Sequence, residues 1–128
     1  MRLIQDFMRV AARLAGLREK GQFRQLDEEI REAYTSLLKT DYTLVTGFND
    51  QKWDEYINEK QPEEWEMTAT LLMTEGEALA DQGNADKADG KLRRALDLFL
   101  RCEKEMKTFS IDRNEKIQKL KNDLGVTD

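Results

Sequence analysis

Residues 63–101 read EEWEMTATLLMTEGEALADQGNADKADGKLRRALDLFLR. Apolar positions recur at helical spacing as far as Leu79 and again from Ala88, with Gly83 and Asn84 between them, so the stretch reads as two helices and a tight turn. The same pattern stands 62 residues earlier in the chain. Leu3, Phe7, Val10, Leu14, Leu17 and Gly21 fall on Trp65, Ala69, Leu72, Gly76, Leu79 and Gly83. Phe23, Leu26, Ile30, Ala33 and Leu37 then fall on Ala85, Ala88, Leu92, Ala95 and Phe99. One helix–turn–helix unit therefore occurs twice, and such units bury their apolar faces by stacking.

Composition fits this reading. The chain has 128 residues, 39% hydrophobic and 37% charged, with a single proline, as expected for one all-α domain with a modest core and a charged surface. A net charge of −5 argues against broad attraction to nucleic acid or anionic membranes. No stretch approaches the roughly 20 apolar residues of a membrane span, and Arg2, Asp6, Arg9 and Arg13 interrupt the apolar N-terminal segment where a signal peptide would be continuous. The expected location is cytoplasmic. The absence of histidine removes the commonest neutral-pH acid/base and a favoured metal ligand. Cys102, the only cysteine, falls on an apolar helical stripe and reads as a core residue.

Along residues 1–39 the first hairpin has a helix over 2–19, a cap at Gly21, and a helix over 23–39. Beside its main stripe the first helix carries Ile4, Met8, Ala11 and Ala15, which makes it apolar over more than half its circumference and implies neighbours on two sides or an interface. Residues 40–62 form an aromatic insert: a short turn of helix around Tyr42, Leu44 and Val45 ending near Gly47, then a helix capped by Asn49 or Asp50 carrying Trp53, Tyr56 and Ile57. The second hairpin covers 63–109, with Pro62 in its first turn, Asn84 as a cap, and a second helix reaching about Lys107. Asp112 with Glu115 fits a capping box for a last helix over 112–124, ended by Gly125, which reads as the capping element of the stack.

Leu72–Leu98 resembles a tetratricopeptide (TPR) repeat through Gly76, Leu79, Gly83, Ala88, Leu92 and Ala95. The first unit keeps Leu17, Gly21, Phe23 and Ala33 but has Leu14 and Leu26 where the family has small residues, and Leu38 and Leu100 replace the closing proline. The spacing of 62 residues exceeds the family's period of about 34, so the stack is interrupted. The whole chain is also similar to small bacterial proteins with TPR-like helical folds and no established activity. The resemblance implies a partner groove lined by Met8, Ala11, Ala15 and Arg18, then Thr70, Met73, Glu77 and Ala80. These positions lack the lysine and asparagine of the TPR clamp for carboxylate-terminal peptides, leaving a mostly small and apolar surface suited to a docking helix, or to the chain's own insert around Trp53 and Tyr56.

No catalytic, cofactor or metal motif emerges. The glycines near Gly16–Gly21 and Gly83–Gly90 follow no strand and precede no Lys-Ser/Thr pair. The basic residues Lys104, Lys107, Arg113, Lys116 and Lys119 have only Phe109 as an aromatic neighbour, too little for a nucleic-acid site. The sequence therefore points to a non-enzymatic protein–protein interaction module of the scaffold or adaptor kind. Two alternatives stay open: a self-assembling homodimer, and a small-molecule binder with a pocket under Trp53, Tyr56 and Trp65.

Overall fold

The computed structural model describes residues 2–126, with side chains from Gln5 onward; Leu3 and Ile4 of the expected stripes fall outside the described side chains. The chain forms α1 (Arg2–Glu19), α2 (Phe23–Leu38), α3 (Tyr42–Thr46), α4 (Asp50–Asn58), α5 (Pro62–Asp81), α6 (Ala85–Glu105) and α7 (Ile111–Leu124). There is no strand among the described residues.

The two turns repeat bond for bond. Gly21 N–H donates to Arg18 O (3.0 Å) and Gln22 N–H to Leu17 O (2.9 Å); Gly83 N–H donates to Ala80 O (3.0 Å) and Asn84 N–H to Leu79 O (2.9 Å). Both glycines have positive φ, 70° and 80°, which these closures require and other residues adopt at a cost. Asn84 occupies the N-cap of α6, but its side chain makes no capping bond.

What differs between the units is how closely their helices approach. A methyl group on Gly76 would lie 2.7 Å from Leu92 Cδ2 and 3.3 Å from the Ala88 carbonyl oxygen, so α5 and α6 meet at a glycine. The equivalent positions in α1 and α2 carry Leu14 and Leu26, both fully buried, and their bulk fills that contact instead.

α5 is the helix around which the others gather. On one side Met67, Leu71 and Ala78 join α1 and α2 in a cluster with Leu14, Ile30 and Tyr34. On the other, Ala69, Leu72 and Met73 join a second cluster with Trp53, Ile57, Phe99 and Ile117. The sequence suggests α1 as the surrounded helix, yet Met8, Ala12 and Ala15 are exposed there. Seven consecutive residues of α5, Met67–Met73, are buried instead. Its threonines tolerate this because Thr68 and Thr70 donate their hydroxyls to the carbonyls of Glu64 (2.7 Å) and Glu66 (2.9 Å) one turn back.

The insert and the last helix are fastened by polar bonds. Asp41 caps α3, and Asn49 Oδ1 caps α4 by accepting from Lys52 N–H (2.8 Å). Trp65 Nε1 donates to Ile57 O (2.8 Å), tying α4 to α5. α7 is capped by Ser110, whose Oγ accepts from Arg113 N–H (3.1 Å), rather than by the expected Asp112–Glu115 box. In the first turn Arg113 faces inward, where it is 2% exposed and bonds Glu66, Glu103 and the Thr108 carbonyl.

Gly76→Ala is expected to destabilise the protein by about 1–3 kcal/mol through overpacking against Leu92, despite alanine's better helix propensity. Gly16→Ala, where a Cβ meets nothing within 4 Å, is expected to stabilise by about 0.5–1 kcal/mol. Denaturant midpoints of the two variants against the parent check both signs.

Candidate functional site

The eight groove positions are partly brought together. Arg18 spans from α1 to α5, with Nη1 3.2 Å from Glu77 Oε1 and Nε 2.7 Å from Asp81 Oδ2, so the C-terminal ends of the two stripes meet. Met8, Ala15 and Ala80 are exposed and Ala11 is half-buried. Thr70 and Met73, however, are buried. On α5 they sit between Glu66 and Glu77, which pair with Arg113 (3.1 Å) and Lys119 (3.1 Å) of α7. α7 therefore runs along the α5 half of the groove, and Met73 shares a cluster with Ile117 and Leu120. The covering element is the last helix rather than the insert.

Three of the five basic residues noted in the C-terminal third are engaged within the chain. Arg113 is buried against Glu66 and Glu103, Lys116 pairs with Asp112 (3.0 Å), and Lys119 pairs with Glu77 and Asp123.

A cleft of about 780 Å³ lies on the far side of α5, walled by α2, the insert and α6. Its centre is Glu75, buried in α5, which accepts a short hydrogen bond from the Tyr42 hydroxyl and lies 3.5 Å from Lys91 Nζ. The Tyr42 ring meets Tyr34 edge-on at 5.2 Å and carries Arg31 (4.5 Å) and Lys91 (5.3 Å) over it. Further along, Arg94 covers the Trp53 ring at 4.6 Å and donates to the Phe48 carbonyl (2.8 Å). Of Trp53, Tyr56 and Trp65, the three residues expected around a small-molecule pocket, only Trp53 lines this cleft; Trp65 is engaged with Ile57, and Tyr56 bonds the Thr40 hydroxyl (2.8 Å).

Burial, reinforced by the Glu75 charge, holds the Tyr42 and Tyr34 phenols well above their usual range, so both remain neutral donors at any physiological pH. Burial likewise pushes the Cys102 thiol up to about 12, which makes it a packing group of α6 against the start of α5. Among the described residues, no group of three His, Cys, Asp or Glu side chains converges to hold a metal ion. No helix is long and apolar enough to cross a membrane among those residues.

Glu75 could not be recognised from sequence, where it stands among many acids on helices. The one available signal was its position three residues after Leu72 and four before Leu79, on an apolar face.

The charge contacts make two expectations. Bonding to Arg18 holds the Asp81 carboxyl below its usual range, and bonding to Arg13 does the same for Glu29. Carboxyls depressed on folding add stability above the unfolded range near 4, and this is lost as pH falls through the folded values. Stability measured by denaturant titration should therefore decline below about pH 4, and less steeply in the Arg13→Gln/Arg18→Gln variant. Glu75→Leu is expected to cost about 2–4 kcal/mol because it orphans the Tyr42 hydroxyl and the half-buried Lys91. Adding Tyr42→Phe should lower that cost, which a double-mutant cycle measures directly.

Comparison of the chain with protein-family models, with curated proteins and with solved structures gives no match.

Proposed function

We propose that this chain is a non-enzymatic protein–protein interaction module of TPR-like build, located in the cytoplasm, whose partner contributes an amphipathic helix. The observation that carries the reading is the outer stripe of α1. Met8 is 64% exposed, and Ala12 and Ala15, at four and seven residues further on, are exposed on the same side. A flexible thioether beside small residues suits close approach of a second helix. The equivalent turn geometry at Gly21 and Gly83, and the packing of α5 across both α1 and α2, support the TPR-like arrangement.

The arginines of α1 that flank this stripe are engaged within the chain, Arg13 with Glu29 and Arg18 with Glu77 and Asp81, so the stripe is bordered by paired charges. With α7 over Thr70 and Met73, the contact is confined to Met8, Ala11, Ala12 and Ala15, closed at one end by the Arg18–Glu77 pair.

A photo-crosslinking residue in place of Ala15 tests this, with the same residue in place of the exposed Lys107 as control. The expected result is a cross-link to another protein from position 15 alone, lost on Met8→Glu in a variant whose circular dichroism is unchanged. Equal products from both positions, or none, would refute the α1 assignment. A product of twice the chain's own mass would replace it with self-assembly.

A further inference from the structure

The cleft beside Glu75 is independent of the α1 surface and has its own chemistry. It falls within the usual volume range of small-molecule sites, and it is long: its α6 wall runs from Asp86 to Arg94, a helical rise of about 12 Å. Apolar and aromatic groups line it from Leu79 past Tyr34, Tyr42 and Leu72 to Val45 and Trp53.

Its polar groups are unequally satisfied. Arg31, Lys87, Lys91, Arg93 and Arg94 line it against four carboxylates, so the cleft is net positive in an acidic chain. Asp27 is engaged by Arg31 at 3.0 Å. Glu75 accepts from Tyr42 at one oxygen, while the other, Oε1, lies 3.5 Å from Lys91 Nζ without a hydrogen bond among the described residues, and the fully exposed Asp50 lies 3.7 Å from Arg94. Donors are left over. Lys87 has no hydrogen-bond or ion-pair partner among the described residues. More telling is Trp53: it is 4% exposed and lines the cleft, and its buried Nε1–H has no acceptor. A buried indole N–H without an acceptor costs free energy that a bound acceptor would recover.

We propose that this cleft binds a small organic anion with an apolar, ring-sized body, its acidic head accepting from Trp53 Nε1 and Arg94 and its body lying along Tyr42 and Leu72 toward Lys87. The leftover donors ask for acceptor atoms, the positive excess asks for negative charge, and the aromatic wall accounts for the body. Carboxylate, sulfonate and phosphate heads share this chemistry.

The test uses 8-anilinonaphthalene-1-sulfonate, which is such an anion, and N-phenyl-1-naphthylamine, its neutral counterpart, on the full chain carrying Trp65→Phe so that Trp53 is the sole tryptophan. The expected result is saturable one-to-one binding of the sulfonate, seen as energy transfer from Trp53, with the neutral compound weaker by about tenfold or more. Gly90→Phe should abolish it, since Gly90 lines the cleft and its Cβ position is open, so the ring fills the site without a clash at the backbone. Lys87→Glu, at an exposed residue, should weaken sulfonate binding while leaving the circular dichroism spectrum unchanged, and serves if Gly90→Phe does not fold. Equal binding of the neutral compound, or full binding retained in Lys87→Glu and in folded Gly90→Phe, would overturn the proposal.

Discussion

Everything in this protein is arranged around one helix that has no free face. α5 is buried for seven residues in succession, and each of the other long helices meets it or is tied to it. A helix in that position must satisfy its polar side chains internally or do without them. The threonines of α5 return their hydroxyls to the preceding turn. Glu66, Glu75 and Glu77 are each met by a cation from another element: Arg113 and Lys119 from α7, Lys91 from α6, Arg18 from α1. These carboxylates thus fix which helix lies on which side of α5, a role that nonspecific apolar contact performs less well.

The two hairpins show how one sequence pattern supports two packing depths. Both turn on a positive-φ glycine with the same pair of hydrogen bonds. Gly76 and Ala88 let α5 and α6 close tightly, whereas Leu14 and Leu26 fill the corresponding place in the first hairpin. Cα-to-Cα approach is set by the smallest residues at the crossing, so a change from glycine to leucine at one position alters the depth without altering the turn.

The insert has a definite consequence for the surface. By interposing α3 and α4 between the hairpins, it brings Tyr42 to Glu75 and Trp53 to Arg94, residues 33 and 41 positions apart. The result is a cleft whose aromatic faces are covered by cations and whose phenols stay protonated. On the opposite side of α5, α7 pairs with Glu66 and Glu77 and covers the positions between them. The outer stripe of α1 and the cleft, which the second hairpin helps to wall, both lie where α7 does not reach.

The helices, their turns at Gly21 and Gly83, the Asn49 cap, the role of Pro62, the stop at Gly125 and the burial of Cys102 are all written in local sequence. Each depends on residues within a turn or two, where period and capping chemistry act directly. Periodicity names a buried face but not what buries it. That is why α1 reads as the surrounded helix while α5 is; the TPR resemblance likewise makes Thr70 and Met73 groove residues without showing that α7 covers them. Ser110 rather than Asp112 caps α7, and Arg113 is buried against the carboxylates of Glu66 and Glu103, which only the fold brings beside it. The cleft is likewise a tertiary product, because its charge pairs and its unpaired indole exist only once segments distant in sequence share one low-dielectric space.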